Sequence, residues 1–93
     1  MENNKKPVTQ VIIDREEHRR LHEFATTLET IAKKLKEEGT FHFTEGNHTT
    51  PITPSDNLKV EYSYEIKGDK HSFEIEFDWY TGQKEQNFAF KIE

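Results

Sequence analysis

The chain has no cysteine, three prolines, four glycines and a single tryptophan in 93 residues. Without cysteine there is no disulfide framework, no thiolate metal site and no thiol nucleophile. No apolar run approaches the roughly 20 residues that a membrane-spanning helix requires. The opening MENNKKP carries no apolar stretch of the kind a secretory signal needs. A soluble, cytoplasmic protein is the expectation. Apolar residues are themselves scarce, 31% against 33% charged, and a chain of this length buries only about 60–65% of its unfolded surface. Positive charge is also short: the net charge is −5. Phosphate binding needs a cationic surface, so neither nucleic acid nor an anionic membrane is an expected partner. Basic proteins and cations stay open. There is no glycine-rich phosphate loop and no Ser/His/Asp spacing from which to assemble a triad.

What the chain does have is aromatic rings, one Trp, three Tyr and seven Phe, each removing roughly 150–250 Å² from water when buried. They concentrate in residues 58–80, LKVEYSYEIKGDKHSFEIEFDWY. Two alternating runs flank Gly68-Asp69, which suits a two-residue hairpin turn because glycine tolerates positive φ. Counting outward from that turn sets Ile66 opposite His71, Tyr64 opposite Phe73, Tyr62 opposite Ile75, Val60 opposite Phe77 and Leu58 opposite Trp79. All the large apolar side chains then share one face, and Lys59, Glu61, Ser63, Glu65, Lys67, Ser72, Glu74, Glu76 and Asp78 share the other. A slip of one residue would turn the apolar set into water, so the register is tightly specified. The aromatic face is expected to be core, with Trp79 as its end plug.

Upstream, residues 1–6 are polar and expected to be disordered. The β-branched PVTQVII at 7–13 suits a first strand, with Val11 and Ile13 inward. Asp14 and Glu17 have the spacing of a capping box. Leu21, Phe24, Ala25, Leu28, Ile31, Ala32 and Leu35 then recur at helical steps. Lys33, Lys34 and Lys36 complement the carboxyl end of the dipole, and Gly39 is placed to stop the helix. The helix is expected over 15–38, about 36 Å at roughly 1.5 Å per residue. TFHFTE at 40–45 alternates, Gly46-Asn47 is a second hairpin signal, and Pro51 in the return run marks it as an edge or irregular strand. NFAFKI at 87–92 alternates once more.

The expected fold is therefore a single domain over 1–93 of the α+β class. It has two layers: one long helix packed on one face of a mostly antiparallel sheet, in the order β-α-β-β-β-β(-β). The pattern resembles the amphi-Trp domain family of small bacterial and archaeal proteins. The resemblance rests on the acidic-led helix DREEHRRLHEFATTLETIAKKLKEEG, the strand TFHF, the proline-containing approach TPITPSDNLKVEYSYE and the alternation FEIEFDW that ends in tryptophan. It covers roughly 8–80, and the extra strand at 87–92 is a departure from it. The resemblance supports the fold and transfers no catalytic or ligand residues.

Three constellations bear on function. His18 and His22 stand four apart, a spacing at which both imidazoles on one helix reach a single metal; Arg19 rules out an H-E-x-x-H motif, and two partly solvated helix residues are the plainer reading. His71 falls on the apolar face as a rim residue. Glu61 opposite Glu76, with Glu65, Glu74 and Asp78 around them, is the sharper case, since like charges directly across a strand pair repel. A cation or basic partner on that face would explain it. Solvation is the plainer explanation, because exposed carboxylates repel by only about 1 kcal/mol at 4 Å in water and Lys59 and Lys67 dilute the field. A glycosidase-like acid/base pair does not fit a flat wet face, which cannot raise one pKa. With no convergent polar site, the expectation is a non-enzymatic domain without cofactor that self-associates or binds a basic protein. The alternative is a small-molecule or enzymatic pocket between helix and sheet, reached past His71 or His22.

Overall fold

The computed structural model describes residues 7–82. Its order is α1 (Leu21–Glu38), β1 (Phe41–Glu45), β2 (His48–Ile52), β3 (Lys59–Lys67) and β4 (Lys70–Asp78). This is the α+β class, one helix with antiparallel strands. The strands form two separate hairpins, β1-β2 and β3-β4, rather than one continuous sheet. The segments expected at 1–6 and 87–92 lie outside the described residues.

Both hairpins turn as their glycines dictate. Gly46 has φ 58° and Gly68 φ 60°, while no non-glycine residue has positive φ. Positive φ at the first central residue alone is the arrangement of a type II′ turn, whose twist matches that of the strands it joins. From Gly68 the register runs Lys67↔Lys70, Ile66↔His71, Tyr64↔Phe73, Tyr62↔Ile75 and Val60↔Phe77, as the alternation requires. In the first hairpin Phe41 pairs with Ile52, Phe43 with Thr50 and His42 with Pro51. Pro51 is tolerated because β2 has a single neighbour among the described strands. Thr40 ties the base of this hairpin, its hydroxyl donating to the Ile52 carbonyl at 3.0 Å and lying 2.7 Å from the Thr53 hydroxyl.

The helix stops where the sequence places its stop. Gly39 sits at φ 74°, and its amide donates to the carbonyls of Leu35 and Lys34 at 3.0 and 3.1 Å, the left-handed C-cap that glycine makes inexpensive. Its start differs from the capping-box reading. The helix begins at Leu21, with Arg20 as N-cap and no side-chain cap. Glu17, expected to reach back to the backbone, instead bridges two guanidinium groups, Arg19 at 3.0 Å and Arg15 at 3.3 Å. Two charge-assisted contacts outweigh one neutral amide as partners for a carboxylate. Residues 7–20 adopt neither helix nor strand, so the strand expected over 7–13 is not formed. Arg15 also reaches Glu45 at 3.0 Å and so fastens this approach to the end of β1.

Packing is uneven. Strand β1 lies against α1; Phe41 and Phe43, their cross-strand partners Ile52 and Thr50, and Thr27, Ile31 and Leu35 of the helix are all half-buried. The amino-terminal part of the same apolar stripe, Leu21, Phe24 and Leu28, is exposed. Hairpin β3-β4 packs against neither α1 nor β1-β2. Among the described residues no side chain is fully buried.

Candidate binding surface on the second hairpin

The β3-β4 hairpin presents two unlike faces, and strand alternation alone decides which residues go to which. One face collects Val60, Tyr62, Tyr64, Ile66, His71, Phe73, Ile75 and Phe77. The expectation that these rings form a core under the helix is not met, because the helix lies elsewhere. Tyr62 is 70% exposed, Phe73 63%, Tyr64 59% and Ile75 53%. What orders them is contact with one another. Tyr64 is 6.4 Å from Phe73 between ring centroids, and it stacks on His71 at 5.9 Å with 28° between planes. The Tyr64 hydroxyl lies 2.7 Å from His71 Nδ1, which fixes the imidazole within the aromatic row. His71 is on the face where the register puts it, occupied by a tyrosine.

At the open end Trp79 stacks on Phe77, centroids 5.9 Å apart and planes 25° from parallel. Both are half-buried, so Trp79 is a partial plug rather than a buried one. Leu58, Lys59 and Asn57 border a shallow cleft of about 750 Å³ beside it.

The opposite face carries the five carboxylates singled out from the sequence. Glu61 pairs with Glu76, Ser63 with Glu74, Glu65 with Ser72 and Lys59 with Asp78, so Glu61, Glu65, Glu74, Glu76 and Asp78 share one surface. Their repulsion is visible at one position. The Glu76 carboxyl is raised above the ordinary glutamate range, first by Asp78 and then by Glu61. Lys59 offers partial relief, 3.9 Å from Glu61. The serines Ser63 and Ser72 are half-buried on this face, shaded by longer neighbours, and the Ser63 hydroxyl lies 3.5 Å from Glu65.

The histidine pair is separated by the late helix start. His22 stands in the first turn of α1 and His18 in the irregular approach, so the one-helix geometry that motivated a shared metal is absent. Among the described residues no group of three His, Asp or Glu side chains converges as a metal site.

A groove of about 670 Å³ between α1 and β1 is lined by Ile31, Phe41 and Phe43 together with His22, His42 and Thr30. His42 was not advanced as a site residue from the sequence, because only the packing of β1 against α1 brings it to the groove that His22 also lines. Most of the groove's polar groups already have partners. Thr26, Thr27 and Thr30 donate to carbonyls one turn back at 3.1–3.3 Å, Arg19 pairs with Glu17 and Glu23, and Lys34 with Glu38.

Among the described residues no helix is long and apolar enough to cross a membrane. No curated protein and no solved structure matches the chain. A family's sequence profile does, over residues 6–93, taking in both hairpins and the NFAFKI segment beyond them. The alternation that opposes rings to carboxylates and runs into Trp79 is the pattern for which that family is named, and the chain belongs to the amphi-Trp domain family.

Proposed function

We propose that this domain is a non-enzymatic interaction module that works through the aromatic face of β3-β4. One observation carries the reading: a row of large apolar side chains, ordered by ring contacts, stands open to water on a hairpin that nothing else in the described structure covers. An isolated two-stranded hairpin is marginal in water, and monomeric soluble proteins rarely expose apolar patches beyond a few hundred Å². A face of this kind is stable when something covers it. The function is thereby moved from the acidic face, where the sequence placed it, to the side opposite. The carboxylates serve solubility, holding the outer surface charged while the inner one is engaged.

The two faces differ in their response to salt. Association through rings is insensitive to ionic strength or strengthened by it, whereas capture of a basic protein on carboxylates weakens as the Debye length falls from about 10 Å at 0.1 M to 3 Å at 1 M. Sedimentation of the full chain across that range tests the reading. Association that persists at 1 M salt and is lost in Phe73→Glu supports it; association abolished by salt and indifferent to Phe73 returns the function to the acidic face.

A second reading, a small-molecule site, is favoured by the groove that both His22 and His42 line. Imidazole proton resonances that move on screening a fragment mixture, and stay still in a Phe41→Trp variant that fills the groove, would support it.

A further inference from the structure

Among the described residues two apolar surfaces stand open. The first is the aromatic face of β3-β4, on nine-residue strands that are roughly 30 Å long at 3.3 Å per residue. The second is the uncovered amino-terminal part of the α1 stripe, where Leu21, Phe24 and Leu28 are exposed beside Ala25. The helix has eighteen residues, roughly 27 Å at 1.5 Å per residue. Its uncovered stretch, Leu21 to Leu28, is roughly 12 Å long and covers the middle of such a hairpin, and an apolar helix face laid on a two-stranded sheet is the ordinary way for both to leave water. Within one copy the two do not meet. They are separated by β1, β2 and the irregular linker 53–58, in which Ser55 closes a local turn onto the Asn57 carbonyl at 3.1 Å.

Resting on the reading that the aromatic face is an interaction surface, we propose that its occupant is the α1 stripe of a second copy, exchanged reciprocally about a two-fold axis. Each copy contributes one helix and one hairpin, so every contact occurs twice and the interface closes on itself. The linker 53–58 sets the outcome, because it carries the hairpin away from its own helix and leaves it to meet another's. The area is sufficient. The exposed parts of Tyr62, Tyr64 and Phe73 present on the order of 400 Å². Counted on both copies, with the aliphatic residues and the helix stripe, the buried total reaches the order of the 1,600 Å² usual for a stable specific interface. The acidic faces of the two hairpins remain outermost.

The absence of native cysteine makes the proposal directly testable by disulfide trapping. An affinity-tagged Leu28→Cys chain is mixed with an untagged Ile75→Cys chain, oxidised gently and resolved on a non-reducing gel. The double variant is oxidised alone at low concentration. Reciprocal exchange gives a disulfide between tagged and untagged chains, little from either single variant alone, and a dimer by sedimentation of the unmodified chain. Disulfides formed only within Ile75→Cys mean that two aromatic faces meet each other, which overturns the helix as occupant and keeps the face as the interface. An intrachain disulfide in the double variant, with a monomeric parent, shows the hairpin folded onto its own helix and overturns exchange. Association without any helix-to-hairpin disulfide, repeated with Phe24→Cys and Tyr62→Cys, likewise removes the helix. A monomer at every concentration with no trapping removes both this proposal and the reading beneath it.

Discussion

The two hairpins of this domain begin alike and end differently. Both turn on a glycine at the first central position, both hold the register that alternation requires, and both gather rings on one face. Hairpin β1-β2 half-buries its rings against the helix; β3-β4, longer and richer in aromatic residues, leaves most of its own in water. What separates them is the length of the connection. Only Gly39 and Thr40 stand between α1 and β1, so a chain that leaves the helix through a left-handed glycine lays its next strand against the helix it has just left. Six residues, 53–58, intervene before β3, and among the described elements the second hairpin packs against none. Local pattern decides which side chains share a face; connection geometry decides what covers it.

Substitutions on the two ring faces break this comparison most strongly. Phe73→Glu should weaken association about 100-fold or more, in keeping with the 2–4 kcal/mol of a central aromatic anchor. It should leave the unfolding of the first hairpin and helix unchanged in dilute protein. Phe43→Ala should do the reverse, lowering the melting temperature at every concentration by an amount equivalent to about 1–2 kcal/mol for a half-buried ring. Sedimentation and thermal melts at two protein concentrations distinguish the pair, and a concentration-independent loss from both would mean that the two hairpins are equally covered.

Trp79 sharpens the contrast at an intermediate scale. A fully buried tryptophan truncated to alanine costs about 3–5 kcal/mol, but a half-buried ring stacked on one neighbour should cost about 1–2. Chemical denaturation of Trp79→Ala measures it in dilute protein. A loss at the upper figure would place Trp79 in a closed core and contradict its half-exposed position.

The turns compare at a smaller scale still. Gly46→Ala and Gly68→Ala both force a side chain into positive φ, worth roughly 1–2 kcal/mol each. Neither alanine Cβ meets a neighbour, so strain is the whole effect. The strand signal of β3-β4 should fall more on the Gly68 substitution than that of β1-β2 on the other, since the helix holds the first hairpin and not the second. Circular dichroism of the two variants gives the order.

The smallest effect is on pH dependence. Glu76 has its folded pKa raised by Asp78 and Glu61, so the folded state takes up its proton before the unfolded chain does. Its contribution is fully favourable below the unfolded value and is lost as pH rises through the folded one. Glu17 runs the other way: hydrogen bonds from Arg19 and then Arg15 lower its folded pKa, so its stabilisation is present above the unfolded value and fades as pH falls through the folded one. Glu76→Gln should flatten the first trend and Glu17→Gln the second, each modestly, because both carboxylates are solvated. Melts between pH 3 and 6 resolve the signs.

Most of the hairpin geometry is legible in the sequence. A period of two fixes faces, and Gly68-Asp69 fixes register, so the opposition of Glu61 to Glu76 and of Tyr64 to Phe73 follows by counting. Gly39 was legible as the helix stop for the same reason, a backbone conformation that few residues accept. The helix start was not. Asp14 and Glu17 have cap spacing, but spacing does not show that Arg15 and Arg19 compete for the same carboxylate. Nor was the exposure of the rings legible, since alternation is silent about layers. A warning lay in the composition: one apolar stripe of seven residues was being asked to cover two aromatic hairpins at once. Of those seven only Ile31 and Leu35 are half-buried, beside the first hairpin.

The short turns also carry a consequence for kinetics. Both hairpins close through two-residue loops and pair residues near in sequence, so neither waits for a distant part of the chain. Such hairpins form in roughly 1–10 μs, and Gly68 makes β3-β4 a unit that exists, briefly and repeatedly, before any cover arrives. Its lifetime is then set by the frequency of encounters rather than by the chain's own folding. Refolding should show an early phase indifferent to protein concentration and a later one that quickens as the concentration rises.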